Sequence, residues 1–441
     1  MRGRVRTSHS FVKRLGPIRL YTIRNNVTRP VEEIADTLKE LEEEGKIVRI
    51  VTLQPDPIEF YSSPVDSDRL QVRPEEDRSL RILTQSDPYC SRFIQEIRFV
   101  LRDGWYRPVF KGIDPIGRIL MFKVNDYLEI KEGRYKDRPV KVDALIHYPK
   151  GEGPFPVLII THSSGGPSEF MDEWYKYYRK QLKPLLKMEI AVMYLDNFSG
   201  RSVINTYANQ QQATHWSTYI DAFMALEHLS KDPKINIKKV GISGYSRGGI
   251  ISLMISEKRL RDAIVSKDLY FAATQPRSPD CWSIGMFRNP QPVKETKTWM
   301  VLGGKDDYTL AKHCVIQGEK IKANGGDIEI TVKKLWGHGF LGNWKASYQE
   351  EPQTFYNCPP YYTEDDGSWN KEQMDLMIKH GEVKSEEEFH KLFKEDKRLF
   401  LVKNWDAYYA EKCIGIGSYE GGNKWGAFKK KYFKFWKENL L

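Results

Sequence analysis

Residues 240–250 read Val-Gly-Ile-Ser-Gly-Tyr-Ser-Arg-Gly-Gly-Ile, and this stretch limits the fold more tightly than any other in the chain. Val240 to Ser243 is a short apolar run of the kind that forms a buried strand, and Ile250 to Ile255 reads as a helix. Between them the backbone must turn sharply, and Gly244 and Gly248 stand two residues either side of Ser246. Without side chains there, strand and helix can pass closely. The turn lifts Ser246 Oγ clear of the sheet. It also leaves the Arg247 amide at a helix N-terminus, where it can face a developing negative charge. The alternative is a glycine-rich strand-to-helix turn with no chemistry attached.

The surroundings favour an α/β arrangement. Val157-Leu158-Ile159-Ile160 is fully apolar, as a central parallel strand would be, and it runs into His162-Ser163-Ser164-Gly165-Gly166, a small-residue loop with amides to spare. A helix is expected from Met171 to Leu186, a strand at Ile190–Leu195, and a helix at Asp221–Leu229. Thr298–Leu302 and Ile328–Val332 read as further strands. Repeated alternation of strand and helix implies a mostly parallel sheet with helices on both faces.

A serine hydroxyl needs a base, and the base needs a group to orient it. Beyond Ser246, the strand at 298–302 ends in Gly303-Gly304-Lys305-Asp306-Asp307-Tyr308-Thr309, and the carboxyl end of a strand is where such sheets place function. Asp306 is the candidate acid and Asp307 the fallback, each also able to act only as a helix cap. His338, between Gly337 and Gly339 after the next strand, has little packing role and is the candidate base. His313, His380 and His390 read as surface residues.

Taken together, the Gly244–Gly249 elbow, Asp196-Asn197-Phe198 with Gly200-Arg201, the Gly303–Thr309 loop with Ala311 and Cys314, and the His338-Gly339-Phe340 turn resemble the dienelactone hydrolase family of α/β-hydrolases. The resemblance covers residues 138–345. It implies an α/β-hydrolase fold, a Ser246, Asp306 and His338 triad, oxyanion amides from Arg247 and Ser164, and no cofactor or metal. Tyr245, His162 and Phe340 are then candidates for the substrate pocket. The family's type enzyme has a cysteine nucleophile where this chain has serine. The usual His-Gly of the oxyanion loop is His162-Ser163 here. Cys281 and Cys314 occupy positions where similar proteins carry cysteines.

Outside that core, eight Arg and Lys residues precede the first acid, Glu32. They suit a solvated basic arm, an organelle transit segment or a contact with an anionic partner. Residues 1–77 read as this arm, a small helix-strand module resembling the second half of a winged helix, and a linker over 55–77. Nucleic acid is disfavoured as a partner because Glu40, Glu42, Glu43 and Glu44 give the helix an acidic face. Residues 78–137 are expected to hold a helix carrying Phe93, Ile94, Ile97 and Leu101, a strand over 118–130 and a turn at Lys131-Glu132-Gly133, with a further strand over 138–148 after them. Residues 274–297 form a lid-like insertion. Residues 346–441 form a helical extension whose Trp425, Phe428, Tyr432, Phe435 and Trp436 either pack on the body or, with interleaved lysines, bind a partner.

Several classes fall away. No apolar run approaches the ~20 residues of a membrane span. No zinc-ligand spacing or phosphate loop appears. Five cysteines without a framework spacing suggest mostly free thiols and a cytoplasmic setting, or an organelle if the basic arm directs the chain there. The expected activity is ester or lactone hydrolysis of a small molecule. A carbohydrate esterase of glucuronoyl or acetyl type, a serine oligopeptidase and a non-catalytic interaction protein stay open, and the terminal extensions suit a homo-oligomer.

Overall fold

The computed structural model describes residues 124–392 and 415–441, apart from short stretches within them, together with seven short strands before residue 124. The chain divides into two compact units, Met1–Arg118 and Ile119–Leu441.

In the first unit, β1 (Ile18–Arg19), β2 (Val48–Val51) and β3 (Glu59–Ser62) form an antiparallel sheet in the order β1-β3-β2. A second antiparallel sheet runs in sequence order through β4 (Gln71–Arg73), β5 (Ser79–Arg81), β6 (Arg98–Arg102) and β7 (Trp105–Pro108). Two expectations change here. The stretch 55–77 contains strands β3 and β4, so it is not a plain linker. Leu101 lies in strand β6 instead of on a helix, while Phe93, Ile94 and Ile97 lie outside the described residues. The module helix expected over residues 31–44 also lies outside them.

The second unit is built on seven strands. They are β8 (Asp143–His147), β9 (Phe155–Thr161), β10 (Ala191–Asp196), β11 (Ile235–Tyr245), β12 (Ala273–Arg277), β14 (Lys297–Gly303) and β15 (Asp327–Lys333). A two-residue strand, β13 (Met286–Phe287), lies between β12 and β14 in the chain. The sheet order is β15-β14-β12-β11-β9-β10-β8, all parallel except the edge strand β8. Strands β9, β10 and β14, and β11 from Val240 on, are buried nearly end to end, which is why they read as apolar runs without alternation. The buried strand β12 is instead polar (Ala-Thr-Gln-Pro-Arg) and falls within the stretch expected as a lid-like insertion.

Helices cover both faces. His215–Leu229, Arg247–Met254 and Lys258–Ile264 share one large core with Ile159, Val240, Ile242 and Met300. The helix His215–Leu229 begins six residues earlier than the apolar spacing suggests. Thr214 accepts a hydrogen bond from Ser217 N at 3.2 Å and caps a first turn of polar and aromatic residues. On the opposite face lie Tyr177–Lys187 and the amphipathic helix Trp425–Leu440. Trp425, Phe428, Tyr432, Phe435 and Trp436 are buried and the lysines face outward, so the aromatic side is core. Trp299 stacks on Phe428 at 5.5 Å between centroids.

Two local expectations are corrected. Residues 127–130, expected in a strand, and Lys131, expected in a turn, form the helix Tyr127–Lys131, because Asp126 accepts from Glu129 N at 2.9 Å and Ile130 anchors the turn inside. The helix expected from Met171 starts at Tyr177, after a short turn over Pro167–Phe170. The expectation of mostly free thiols also fails. Cys281 and Cys314 form a disulfide, and Cys358 is disulfide-bonded as well. The first bond ties residues 274–297 to the helix Ala311–Ala323. There β13 pairs with β17 (Tyr362–Thr363) in a small parallel ribbon. Finally, β16 (Tyr348–Thr354) pairs antiparallel with β18 (Gly415–Ser418).

Candidate active site

Ser246 occupies the turn between β11 and the helix Arg247–Met254, with φ 53° and ψ −116°. A serine rarely adopts that backbone conformation, and the turn holds because its neighbours leave no room for another. A Cβ on Gly244 would collide with Gly248 and Thr161, and one on Gly248 would lie 2.7 Å from His162 O. Ser246 N donates to Arg277 O at 2.9 Å, which ties the turn to β12.

The two partners expected from sequence converge on it. His338 Nε2 lies 3.1 Å from Ser246 Oγ, and His338 Nδ1 lies 2.9 Å from Asp306 Oδ2. A carboxylate on Nδ1 makes that nitrogen the donor and leaves Nε2 free to accept from the serine. Asp306 is fixed in turn. Its Oδ1 accepts from Tyr308 N at 3.0 Å and Thr309 N at 2.8 Å, and its Oδ2 accepts from Thr309 Oγ1 at 3.0 Å. Thr309 Oγ1 is also 3.0 Å from His338 Nδ1, a contact that no sequence pattern announces. The rings of Tyr245 and Tyr308 pack on the imidazole at 5.2 and 4.7 Å.

Asp307 does not enter the triad, nor does it cap a helix. Its Oδ1 accepts from Ser418 N at 3.0 Å and Ser418 Oγ at 2.7 Å. The histidine loop is secured from the same segment: Gly339 N donates to Glu420 O at 2.7 Å and Lys424 N to Phe340 O at 2.8 Å.

The loop after β9 faces the elbow. Ser163 N donates to Glu169 Oε2 at 2.9 Å, Gly165 N to Ser163 Oγ at 3.4 Å, and Gly166 N to Ser163 O at 3.1 Å. The Ser164 amide and the helix-terminal Arg247 amide have no acceptor among the described residues. Glu169 organises this loop and was not singled out from sequence. It is 2% exposed, also accepts from Ser163 Oγ, and burial pushes its pKa up to about 7.

The candidate pocket residues turn out to support the site from behind. His162 is wholly buried, with Nδ1 bonded to Ser163 O at 2.8 Å and Nε2 accepting from Asn197 N at 3.1 Å. Burial lowers its pKa to about 3, so it is a neutral strut between β9 and β10. Phe340 is 1% exposed against Trp336, and Tyr245 is 3% exposed against His338. The Arg247 side chain is buried too and hydrogen-bonds to no acid among the described residues. It donates to Ala213 O at 2.6 Å, Gln210 O at 2.9 Å and Gln210 Oε1 at 2.8 Å, and burial lowers its pKa to about 9.

No cluster of three or more His, Cys, Asp or Glu residues fit to hold a metal occurs among the described residues. The model of the dienelactone hydrolase family matches residues 142–355. A putative dienelactone hydrolase from Klebsiella pneumoniae subsp. pneumoniae is 16% identical, over 48% of this chain and 87% of that one, with a TM-score of 0.36. The thermophilic esterase Est2 from the Planctomycetes species Thermogutta terrifontis is 13% identical in its propionate-bound structure, over 46% of this chain and 86% of that one, with a TM-score of 0.35. No curated protein matches the chain. Residues 142–355 are thus similar to the dienelactone hydrolase family, and they carry the mostly parallel sheet with helices on both faces.

Proposed function

We propose that this protein hydrolyses carboxylic esters of small molecules, lactones included, through an acyl-enzyme on Ser246. The observation that carries the reading is the unbroken line of contacts from Ser246 Oγ to His338 Nε2 at 3.1 Å and from His338 Nδ1 to Asp306 Oδ2 at 2.9 Å. In the first half-reaction His338 Nε2 takes the serine proton while Oγ bonds to the ester carbonyl carbon. The negative charge that develops on the carbonyl oxygen is held by the Ser164 and Arg247 amides. The tetrahedral species collapses, the C–O bond to the alcohol breaks, and His338 returns the proton to the leaving oxygen. Water then attacks the acyl-serine by the same route, which releases the acid and restores Ser246. Asp306 stabilises the imidazolium that forms.

The test is labelling with a fluorophosphonate probe, followed by a panel of p-nitrophenyl esters, lactones and sugar esters. Wild type should label and turn over at least one ester class, and Ser246→Ala should do neither. Equal labelling of the two proteins would refute the proposal.

A further inference from the structure

Four buried donor nitrogens without an acceptor among the described residues gather on the sheet face covered by Trp425–Leu440: Arg277 Nη1 and Nη2, Gln181 Nε2 and Gln275 Nε2. Side chains alternate along a strand, so Gly241, Ser243 and Tyr245 of β11 face one way, and their register partners Ala273, Gln275 and Arg277 of β12 face it with them. That side is closed by Trp436, whose ring would stand 2.5 Å from a Cβ at Gly241, and by Tyr432, which is wholly buried. The Tyr432 hydroxyl is the hub. It donates to Gln181 Oε1, and Ser243, Trp436 and the charge of Arg277 all lower its pKa against the larger upward push of burial. Ser243 Oγ donates to Gln275 Oε1 at 2.9 Å, which leaves the amino group of Gln275 beside Arg277.

Arg277 is the unusual member. It is fully buried, its Nε donates to Gly244 O at 3.2 Å, and no carboxylate among the described residues hydrogen-bonds to it. The rings of Tyr177 and Tyr178 lie 5.4 and 6.0 Å from its Cζ and give the cation only partial relief. Glu169, whose charge reaches Tyr178, is itself engaged by Ser163. An interior guanidinium with both terminal nitrogens open requires an acceptor that brings negative charge. Water would supply lone pairs and leave the charge standing.

We propose that this interior holds one small monovalent anion of halide size, bound by Arg277 Nη1 and Nη2 with the amide nitrogens of Gln181 and Gln275. Tyr432 and Trp436, both wholly buried, close this side and favour a small ion. Because Arg277 also accepts from Ser246 N through its carbonyl and donates to Gly244 O, the ion braces the elbow from beneath. The proposal stands apart from the hydrolase reading, since the ion lies on the side of the sheet away from the helix that follows Ser246.

The test uses the full chain. Crystals grown in sodium bromide should show an anomalous bromine peak within hydrogen-bonding reach of Arg277 Nη. In solution, thermal midpoints should rise with the logarithm of sodium chloride concentration relative to sodium gluconate at equal ionic strength, as mass action requires of a ligand that binds only the folded state. Gln275→Glu, which sets a fixed carboxylate beside Arg277, should keep the gluconate midpoint and lose the chloride response. Arg277→Met should also lose it. A bromide crystal with only water density at Arg277, or equal wild-type midpoints in chloride and gluconate, would overturn the proposal.

Discussion

Replacing Glu169 by Gln tests how the loop after β9 is held. The carboxyl is buried, its two oxygens take the amide and hydroxyl of Ser163, and its pKa stands near 7 against an ordinary 4.5. Below pH 4.5 the group is protonated whether the chain is folded or not, and it contributes nothing to pH dependence. As the pH rises, the unfolded chain releases the proton first, so the folded state binds more protons and stability falls. The fall ends near pH 7, where the folded carboxyl ionises too. At about 1.4 kcal/mol per pH unit, the interval corresponds to a loss of about 3 kcal/mol. Glutamine resembles the protonated acid: its oxygen accepts from Ser163 N and its amino group donates to Ser163 Oγ. Glu169→Gln should therefore match wild type near pH 4.5 and exceed it by about 3 kcal/mol at pH 8. Urea denaturation of both proteins at pH 4.5, 6 and 8 reads this directly. A variant less stable than wild type by the same amount at every pH would refute the reasoning, because it would mean that Glu169 is ionised throughout and is held by its hydrogen bonds.

Three further outcomes are expected. Asp306→Asn should lower kcat by about 10⁴ with little change in KM, because an amide at Nδ1 permits the wrong tautomer; stopped-flow ester hydrolysis measures it. Trp436→Ala should cost about 3–5 kcal/mol in chemical denaturation, since the side chain is fully buried against β11; a loss under 1 kcal/mol would favour a role outside the core. Removing the Cys281–Cys314 bond with a double serine substitution should cost about 4 kcal/mol from loop closure over the separation of 33 residues, read as a lower melting midpoint under non-reducing conditions.

The legible parts of this chain are those where one physical demand fixes residue type. Strands β9, β10, β11 and β14 are buried on both faces and had to be apolar runs. The elbow had to carry glycine at 244 and 248, because any side chain there strikes Thr161, His162 or Gly248. Asp306 and His338 were found because each follows such a strand in a loop. The missed residues, Glu169, Thr309 and Gln210, are single polar groups with no period, recruited by a fold that had already formed around them. Tyr127–Lys131 was misread because its apolar residues fit a strand as well as a helical turn, and only the Asp126 cap distinguishes the two. Arg247 offered a carboxylate-seeking side chain by type, yet the backbone of residues 210 and 213 took its donors.

The stitching of Asp307 to Ser418 and of Gly339 to Glu420 has a practical consequence. A fragment trimmed to the family match at residues 142–355 would carry the serine, the aspartate and the histidine, and would lack the strap that pins two of their three loops. Homology alone would draw the border of this machine too tightly. Residues 415–424 lie outside that match and still fasten the site, so any dissection of the protein into pieces should keep them.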